Sequence, residues 1–199
     1  MYFATHRIQK AIENDRLSAD QCQTLFSTAL TEAHAWAMAG AVCYATVPSG
    51  PLLVRFIAGF NQGGFDFRHL LVWVKQQFVI GMSDYQYRHE PILYSWRPNR
   101  SHYFVKDRSQ STIFEVDKPH VSDRHPTTKP VQLIARMIAN SSREGEIVYD
   151  PFCGSGSTLL AAHQLNRIGY GVEIDPGYVA VALERLAALG LKPELVNAG

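Results

Sequence analysis

Two glycines and a downstream acid near the carboxyl terminus have types and a spacing that could bind a ligand. Gly154 and Gly156 follow Asp150 in the stretch DPFCGSGST, and Glu173 lies seventeen residues beyond Gly156. Glycines permit a sharp turn and a close approach of a ligand to the backbone, and we expect the loop amides to be unpaired and to suit an anionic group. A carboxylate at Glu173 can accept both hydroxyls of a ribose. The loop also offers the hydroxyls of Ser155, Ser157 and Thr158. The pattern predicts a site for a nucleoside with a charged tail.

The glycine spacing distinguishes this loop from two other nucleotide-binding loops. A dinucleotide loop has the pattern G-x-G-x-x-G, but Leu159 stands where its third glycine would be, which disfavours NAD without excluding it. A Walker loop is excluded because no Gly-Lys-Ser/Thr occurs here. A glycine turn with a purely structural role between a strand and a helix stays open as an alternative.

Alternating strand and helix patterns surround the loop. Residues 146–150 and 170–174 have the pattern of strands, and residues 157–166 and 177–188 that of helices. Upstream, Ser18 and Gln21 have the spacing of a capping box, which opens a helix running to about Met38. Further strands are predicted at 41–47, 69–75, 90–96 and 112–116, and further helices begin at Pro51 and Pro130. This alternation predicts an α/β fold with a largely parallel sheet and helices on both faces.

Composition places the chain among globular proteins with one core. Its 199 residues are 46% apolar, which favours a single domain. It has neither a membrane-spanning apolar run nor a signal peptide, so we expect a cytoplasmic protein without a membrane partner. Its three cysteines form no C-x-x-C pair, which supports neither a disulfide framework nor a metal site. A net charge of +1 means that any contact with a polyanion must come from a local patch.

Three stretches within residues 125–186 carry a resemblance to a known family. They are HPTTKPVQLIARMI, DPFCGSGST and GYGVEIDPGYVAVALERL, in that order. Together they resemble the permuted, or beta, class of DNA amino-methyltransferases, which methylate adenine N6 or cytosine N4 with S-adenosylmethionine, as in restriction-modification. The stretches IENDRLSADQ, LLVWVK and YRHEPILYSW resemble further parts of the family, so nearly the whole chain is covered. The resemblance implies a Rossmann-like methyltransferase fold in one domain, residues 1–199. Its parts would be a target and catalytic side (1–96), a short recognition-like loop (97–123) and a cofactor-binding half (124–199).

The resemblance also implies roles for residues around the glycine loop. Those expected to bound the methionine end and sulfonium of S-adenosylmethionine are Asp150, Phe152, Gly154, Ser155 and Gly156, with Thr158 beside them. Thr128 and Lys129 would reach its carboxylate, Glu173 would hold the ribose, and Ile174 would lie against adenine. For Lys129 a solvated position at a helix start stays open, and for Phe152 and Ile174 a core role stays open.

A basic and aromatic cluster is the candidate contact with double-stranded DNA. It combines Arg97, Arg100, Lys106 and Arg108 with His102, Tyr103 and Phe104. We expect phosphate contacts from these cations, with a solvated surface loop as the alternative. Tyr87, His89 and Trp73 are candidates for walls of a base pocket, because an extruded base is read by aromatic stacking and edge hydrogen bonds. Core positions for these three residues stay open.

The sequence departs from the family in one feature. Family members carry a loop of Asp, Asn or Ser followed by Pro-Pro and an aromatic residue, which polarises the target amine and stacks on the flipped base. No Pro-Pro occurs in this chain, and we assign no catalytic residue. In the family this loop precedes the segment matched by IENDRLS, and its strand lies between the cofactor-loop strand and the strand matched by 41–47. We therefore expect that central strand to be missing and two sheet edges to be unpaired.

Three explanations of this departure stay open. The favoured one is an amino-terminally incomplete copy of a site-specific DNA methyltransferase. The others are a degenerate, prophage-like remnant and a chain whose first dozen residues supply a substitute strand. A homodimer or a partner subunit could restore the missing part. A catalytically inactive protein that binds cofactor or DNA is the alternative function.

Overall fold

A computed structural model of the chain describes residues 17–78, 80, 84–117 and 129–196. The helices are α1 (Ala19–Trp36), α2 (Leu52–Gln62), α3 (Val131–Ser141), α4 (Ser157–Gln164) and α5 (Pro176–Ala187). The strands are β1 (Val42–Thr46), β2 (His69–Val74), β3 (His89–Trp96), β4 (Ile113–Glu115), β5 (Ile147–Asp150) and β6 (Ile168–Gly171). The predicted α/β class is confirmed.

The strands of the described ranges form two sheets. The first has the order β1-β3-β2-β4, in which β3 is antiparallel to both β1 and β2, and β2 is parallel to β4. Three of its strands therefore share one direction and β3 runs against them. The second sheet is the parallel pair β5-β6. The reversal of β3 was not predicted, because an apolar run buried on both faces shows no direction.

Helices cover both faces of the first sheet. On one face, Phe26 and Leu30 of α1 and Phe60 of α2 pack with Leu93. On the other face, Ile92 packs with Leu133 and Met137 of α3 and with Trp73 and Phe114. Ile92 and Leu93 are neighbours in β3, and neighbouring residues of a strand point to opposite faces. Burial on both faces explains why β3 is continuously apolar over 91–94.

Helix α4 covers one face of the second sheet. Ala161 and Ala162 of α4 pack with Ile138 of α3 and Val148 of β5. The opposite face of β5-β6 is exposed, and its side chains are Ile147, Tyr149, Ile168 and Tyr170. Within the described ranges, β5 pairs with β6 alone and β1 pairs with β3 alone. The absence of a central strand from the chain stays a prediction.

The local patterns predicted most element positions. The capping box is present, because the Ser18 hydroxyl accepts from the Gln21 amide at 3.2 Å and the Gln21 side chain accepts from the Ser18 amide at 2.8 Å. A strand is present where one was predicted at 170–174, but the predicted bounds are wrong, because β6 spans Ile168–Gly171. Gly171 packs closely against the glycine loop, because a Cβ there would lie 2.9 Å from Cys153. None of the helices in the described ranges combines the length and the hydropathy that a membrane span requires.

Candidate cofactor and nucleic-acid sites

The end of β5 and the start of α4 are tied together through one carboxylate. Asp150 Oδ1 accepts from the Phe152 amide at 2.9 Å, and Asp150 Oδ2 accepts from the Thr158 hydroxyl at 2.5 Å. Short polar side chains commonly close turns by bonding to backbone amides nearby in sequence. Asp150 therefore shapes the loop 151–156 from both of its ends.

The two loop glycines meet different requirements. Both have positive φ angles, 51° at Gly154 and 76° at Gly156, which residues other than glycine adopt only at an energetic cost. A Cβ at Gly156 would lie 2.9 Å from the Cβ of Ala182 in α5, whereas a Cβ at Gly154 would meet nothing within 4 Å. Packing requires glycine at position 156. Position 154 leaves open space that a ligand could use.

Glu173 lies against the glycine loop, where the sequence placed it. Its Oε2 accepts from the Gly154 amide at 2.8 Å, and its Oε1 accepts from the Asp175 amide at 2.8 Å. Asp175 in turn caps α5 by accepting from the Gly177 amide at 2.6 Å. The cap fixes the turn that follows β6, and this turn positions the Glu173 carboxylate.

The expectation that the loop amides are unpaired is wrong for several of them. The Gly154 amide donates to Glu173, and the Phe152 amide donates to Asp150. The Cys153 amide donates to the Val172 carbonyl at 3.0 Å, and the Gly156 amide to the Cys153 carbonyl at 2.8 Å. Backbone donors take protein acceptors wherever these lie within reach. The loop is therefore held in shape by its own hydrogen bonds.

Exposed apolar side chains flank the carboxylates. Phe152 is 50% exposed and Ile174 is 67% exposed, so neither has a core role. Burial, together with the charges of Asp150 and Glu173, raises the pKa of the Cys153 thiol to about 11. The thiol is therefore protonated at neutral pH and is not poised as a nucleophile.

A concave region opens at the ends of β1 and β2 and the start of β3. Its volume is about 440 Å³, and its lining residues are Thr46, Val47, Pro48, Ser49, Lys75, Tyr87, His89, Glu90 and Lys129. Tyr87 and His89 line it, with their ring centroids 5.9 Å apart. Trp73 does not, which corrects its assignment to a base pocket. It is 1% exposed in the core, where its Nε1 donates to the Val116 carbonyl at 2.7 Å. We call this region the target-side cavity.

Two lysines share one carboxylate in the target-side cavity. Glu90 Oε1 lies 2.6 Å from the Lys75 amine, and Glu90 Oε2 lies 3.0 Å from the Lys129 amine. Burial raises the pKa of Glu90, but Lys129 and Lys75 outweigh it, so the pKa lies below the usual glutamate value. Lys129 is thus held beside the cavity, and Thr128 lies outside the described residues. Lys75 and Glu90 were not predicted as site residues, although an acid beginning an apolar strand is a signal for an ion pair.

The cationic side chains of residues 97–108, which we call the basic segment, lie in different environments. The Arg97 guanidinium donates to the Ala37 carbonyl, and the Arg97 amide donates to the Ala41 carbonyl at 2.8 Å. Arg97 therefore ties the end of β3 to the start of β1. Arg100, Lys106 and Arg108 are exposed. The segment is anchored to α3, because the Val105 amide donates to the Asn140 carbonyl at 2.8 Å.

The fold and the glycine loop define an α/β protein with a ligand loop at the carboxyl end of a parallel strand, followed by an acid after the next strand. Comparison with protein families gives the class a name. The family described as DNA methylase matches residues 2–184. The chain belongs to this family of adenine-N6 and cytosine-N4 DNA methylases.

Similar proteins of known classification are bacterial enzymes. Type II methyltransferase M.HpaI of Haemophilus parainfluenzae is 33% identical over 144 residues, which are 62% of this chain and 46% of that protein. Type II methyltransferase M.BglII of Bacillus subtilis is 28% identical over 168 residues, which are 69% of this chain and 47% of that protein. The chain spans about half the length of these curated relatives.

Solved structures share the fold. The M1.HpyAVI–SAM complex superimposes with a TM-score of 0.71 and 22% identity, covering 84% of both chains. The cytosine-N4-specific PvuII DNA methyltransferase has a TM-score of 0.70 at 16% identity, covering 98% of this chain and 79% of that one. The predicted Rossmann-like methyltransferase fold is confirmed by these superpositions.

Proposed function

We propose that the chain binds S-adenosylmethionine at the loop between β5 and α4 and serves methyl transfer to adenine N6 or cytosine N4 in double-stranded DNA. The observation that carries the proposal is the contact of the Glu173 carboxylate with the Gly154 amide at 2.8 Å. It brings the ribose-type acid and the glycine loop together at the carboxyl edge of one parallel sheet. Family membership supports the same conclusion.

The residues at the loop suit this cofactor. Its cationic sulfonium and ammonium groups match a site that contains the carboxylates of Asp150 and Glu173. Phe152 and Ile174 offer exposed apolar surface for an adenine ring, and Gly154 leaves open space at the turn. When bound, the cofactor would supply a methyl group activated on sulfur.

Each side chain of the site has a proposed task. Glu173 would accept the ribose hydroxyls, and Asp150 with Thr158 would keep the loop in the binding shape through their 2.5 Å hydrogen bond. Lys129, whose amine is anchored by Glu90 at 3.0 Å, would attract the cofactor carboxylate from the side of the target-side cavity. Gly156 and Ser155 would form the turn itself.

The target side of the proposal rests on the cavity and the basic segment. Tyr87 and His89 line a space of about 440 Å³, and an aromatic wall suits stacking against an extruded base. Arg100, Lys106 and Arg108 are exposed cations that would contact phosphates.

We also propose that residues 1–199 act as one methyltransferase domain of the permuted order, located in the cytoplasm.

A second candidate function is favoured by a specific observation. The sequence contains no Pro-Pro, so the family's amine-polarising loop has no counterpart by sequence. A chain that binds cofactor or DNA without turnover, as a remnant or as a subunit completed by a second copy or a partner, fits this observation. The two functions share the cofactor site and differ in the transfer step.

Two measurements separate these functions. Calorimetric titration with S-adenosylmethionine tests the cofactor site, and transfer of a radiolabelled methyl group to mixed-sequence duplexes tests turnover. Saturable binding together with incorporation into DNA supports the methyltransferase. Saturable binding without incorporation assigns the chain to the binding function, and an absence of cofactor binding contradicts both readings of the loop.

A further inference from the structure

Arg185 joins the last turn of α5 to the glycine loop. Its Nη1 donates to the Ser155 carbonyl at 2.5 Å and lies 3.1 Å from the Ser155 hydroxyl and 3.3 Å from the Ser157 hydroxyl. Both serines are buried. Hydrogen bonds from a charged donor are stronger than those between neutral groups, so this contact restrains the loop strongly.

The peptide unit between Ser155 and Gly156 is held at both of its ends. Its carbonyl accepts from Arg185 at 2.5 Å, and its N–H, which belongs to Gly156, donates to the Cys153 carbonyl at 2.8 Å. Rotation of this unit would break both hydrogen bonds. Gly156 permits a φ of 76°, and the two bonds select that conformation from the several that glycine can adopt.

Helix α5 supports the loop at two places on one face. Ala182 and Arg185 are three residues apart, so they are neighbours on the helix surface. A Cβ at Gly156 would lie 2.9 Å from the Ala182 Cβ, which shows how closely the helix approaches the turn. The N-cap residue of the same helix is Asp175, whose amide donates to Glu173. One rigid element therefore links the acid and the glycine turn.

Burial lowers the pKa of Arg185, but an arginine stays cationic at neutral pH because its usual pKa is so high. A half-buried cation is costly unless it finds acceptors, and here neutral loop oxygens accept from its Nη1. The loop carbonyl and hydroxyls are thereby directed to the helix. This arrangement fixes the loop before any ligand arrives.

We propose that Arg185 is a positioning residue for the cofactor loop. It holds the Ser155–Gly156 peptide unit in the orientation that leaves Gly154 and Glu173 side by side, and so it prepares the loop for S-adenosylmethionine. This inference rests on the proposed function. Preorganisation lowers the entropic cost of binding, so loss of Arg185 weakens cofactor affinity without removing any direct contact with the cofactor.

The test compares Arg185→Met with a matched control, Arg167→Met. The Arg167 guanidinium also donates to neutral oxygens, namely the Ser142 carbonyl at 2.6 Å, the Ser142 hydroxyl at 3.1 Å and the Leu165 carbonyl. Calorimetry should give a Kd for S-adenosylmethionine that is weakened roughly tenfold or more in Arg185→Met. Arg167→Met should bind like wild type even where its Tm falls equally. Arg185→Lys, which keeps a cationic donor, should recover part of the affinity.

Wild-type affinity in Arg185→Met would overturn the inference while leaving the proposed function intact. Hydrogen exchange of the Gly156 amide, measured without ligand, gives a readout that does not depend on cofactor binding. Exchange should be faster in Arg185→Met than in Arg167→Met, and equal exchange would also overturn the inference. Should Arg185→Met not fold, Arg185→Lys and Ser157→Ala carry the same comparison at smaller amplitude. Failure of wild type to bind cofactor would contradict the proposed function instead.

Discussion

The glycine loop and the target-side cavity are built in different ways. The loop is built mainly from backbone groups over 150–158, which two nearby carboxylates and one helix hold in shape. The cavity is built from side chains that β1, β2, β3 and the start of α3 bring together from distant parts of the chain. A site made of contiguous backbone leaves a pattern in the sequence. For the cavity, the sequence predicted Tyr87 and His89 but not the pairing of Glu90 with Lys75 and Lys129.

The two regions also use their carboxylates differently. In the parts of the chain that are described, Asp150 and Glu173 accept from backbone amides and a hydroxyl. Glu90 instead pairs with two lysine amines. The loop thus has negative charge available for a cationic ligand. In the cavity, the two lysine charges exceed the single charge of Glu90, so this group is net positive. This difference fits a loop that binds the cofactor and a cavity that faces a polyanion.

The strongest test of the loop as a packed backbone structure is Gly156→Val. The substitution combines a left-handed conformation with a Cβ placed 2.9 Å from the Ala182 Cβ. We expect the free energy of unfolding to fall by about 3 kcal/mol and cofactor binding to be lost. Urea denaturation and calorimetry would measure the two effects. Retention of both would show that α5 does not press on the turn.

The ion-pair character of the cavity is tested by Glu90→Gln, which leaves Lys75 and Lys129 without a counter-charge. We expect the free energy of unfolding to fall by about 2 kcal/mol at pH 7. Because the pKa of Glu90 is depressed in the folded state, its contribution is present above the usual glutamate pKa and is lost as the pH falls through the folded value. The difference between wild type and variant in urea denaturation should therefore shrink on acidification.

The control for Glu90→Gln is Glu146→Gln. Glu146 pairs with Arg143 at 3.3 Å on the surface, and exposed pairs contribute little. The unfolding free energy of this variant should differ from that of wild type by less than about 0.5 kcal/mol, both at pH 7 and after acidification. Equal effects of the two substitutions would remove the distinction between the cavity and an ordinary surface pair.

The open space at Gly154 is tested by Gly154→Ala, with Gly145→Ala as the matched control. Both glycines have positive φ, 51° and 78°, and a Cβ would meet nothing within 4 Å at either position. Each variant should therefore lose about 1 kcal/mol of stability from backbone strain alone. Only Gly154→Ala should weaken S-adenosylmethionine binding, by about tenfold in calorimetry. Equal cofactor affinities of the two variants would place the ligand away from the turn.

The smallest expected effect concerns the basic segment. Arg108→Ala should leave stability unchanged and reduce duplex affinity severalfold, with the slope of log K against log salt falling by about one. Arg55→Ala is the control, since Arg55 is an exposed residue of α2 paired with Asp20 at 3.1 Å. Fluorescence anisotropy at several salt concentrations would measure both. Identical salt slopes in the two variants would argue against a phosphate contact at Arg108.

Local sequence patterns predicted the features that depend on neighbouring residues. The cap at Ser18, the strand β5 and the turn into α4 each follow from residue types within a few positions. The position of Glu173 beside Gly154 was also predicted, because successive parallel strands bring their carboxyl ends to one edge.

Features that depend on distant packing were not predicted. Trp73 lies in a continuous apolar run, so the sequence could not show that α3 buries its ring. The pairing of Glu90 with Lys129 joins a strand to a helix start far along the chain. In both cases a long-range contact decides which residues meet, and a local pattern does not identify the distant partner.

We propose that the carboxylate of Glu173 and the turn at Gly154 form one cofactor site. The decisive measurement is calorimetric titration of S-adenosylmethionine into wild type and Glu173→Gln. Wild type should show saturable single-site binding, and the variant, whose side chain has lost its charge, should show a clearly weaker Kd. An absence of heat with wild type, or equal affinities for the two proteins, would contradict it.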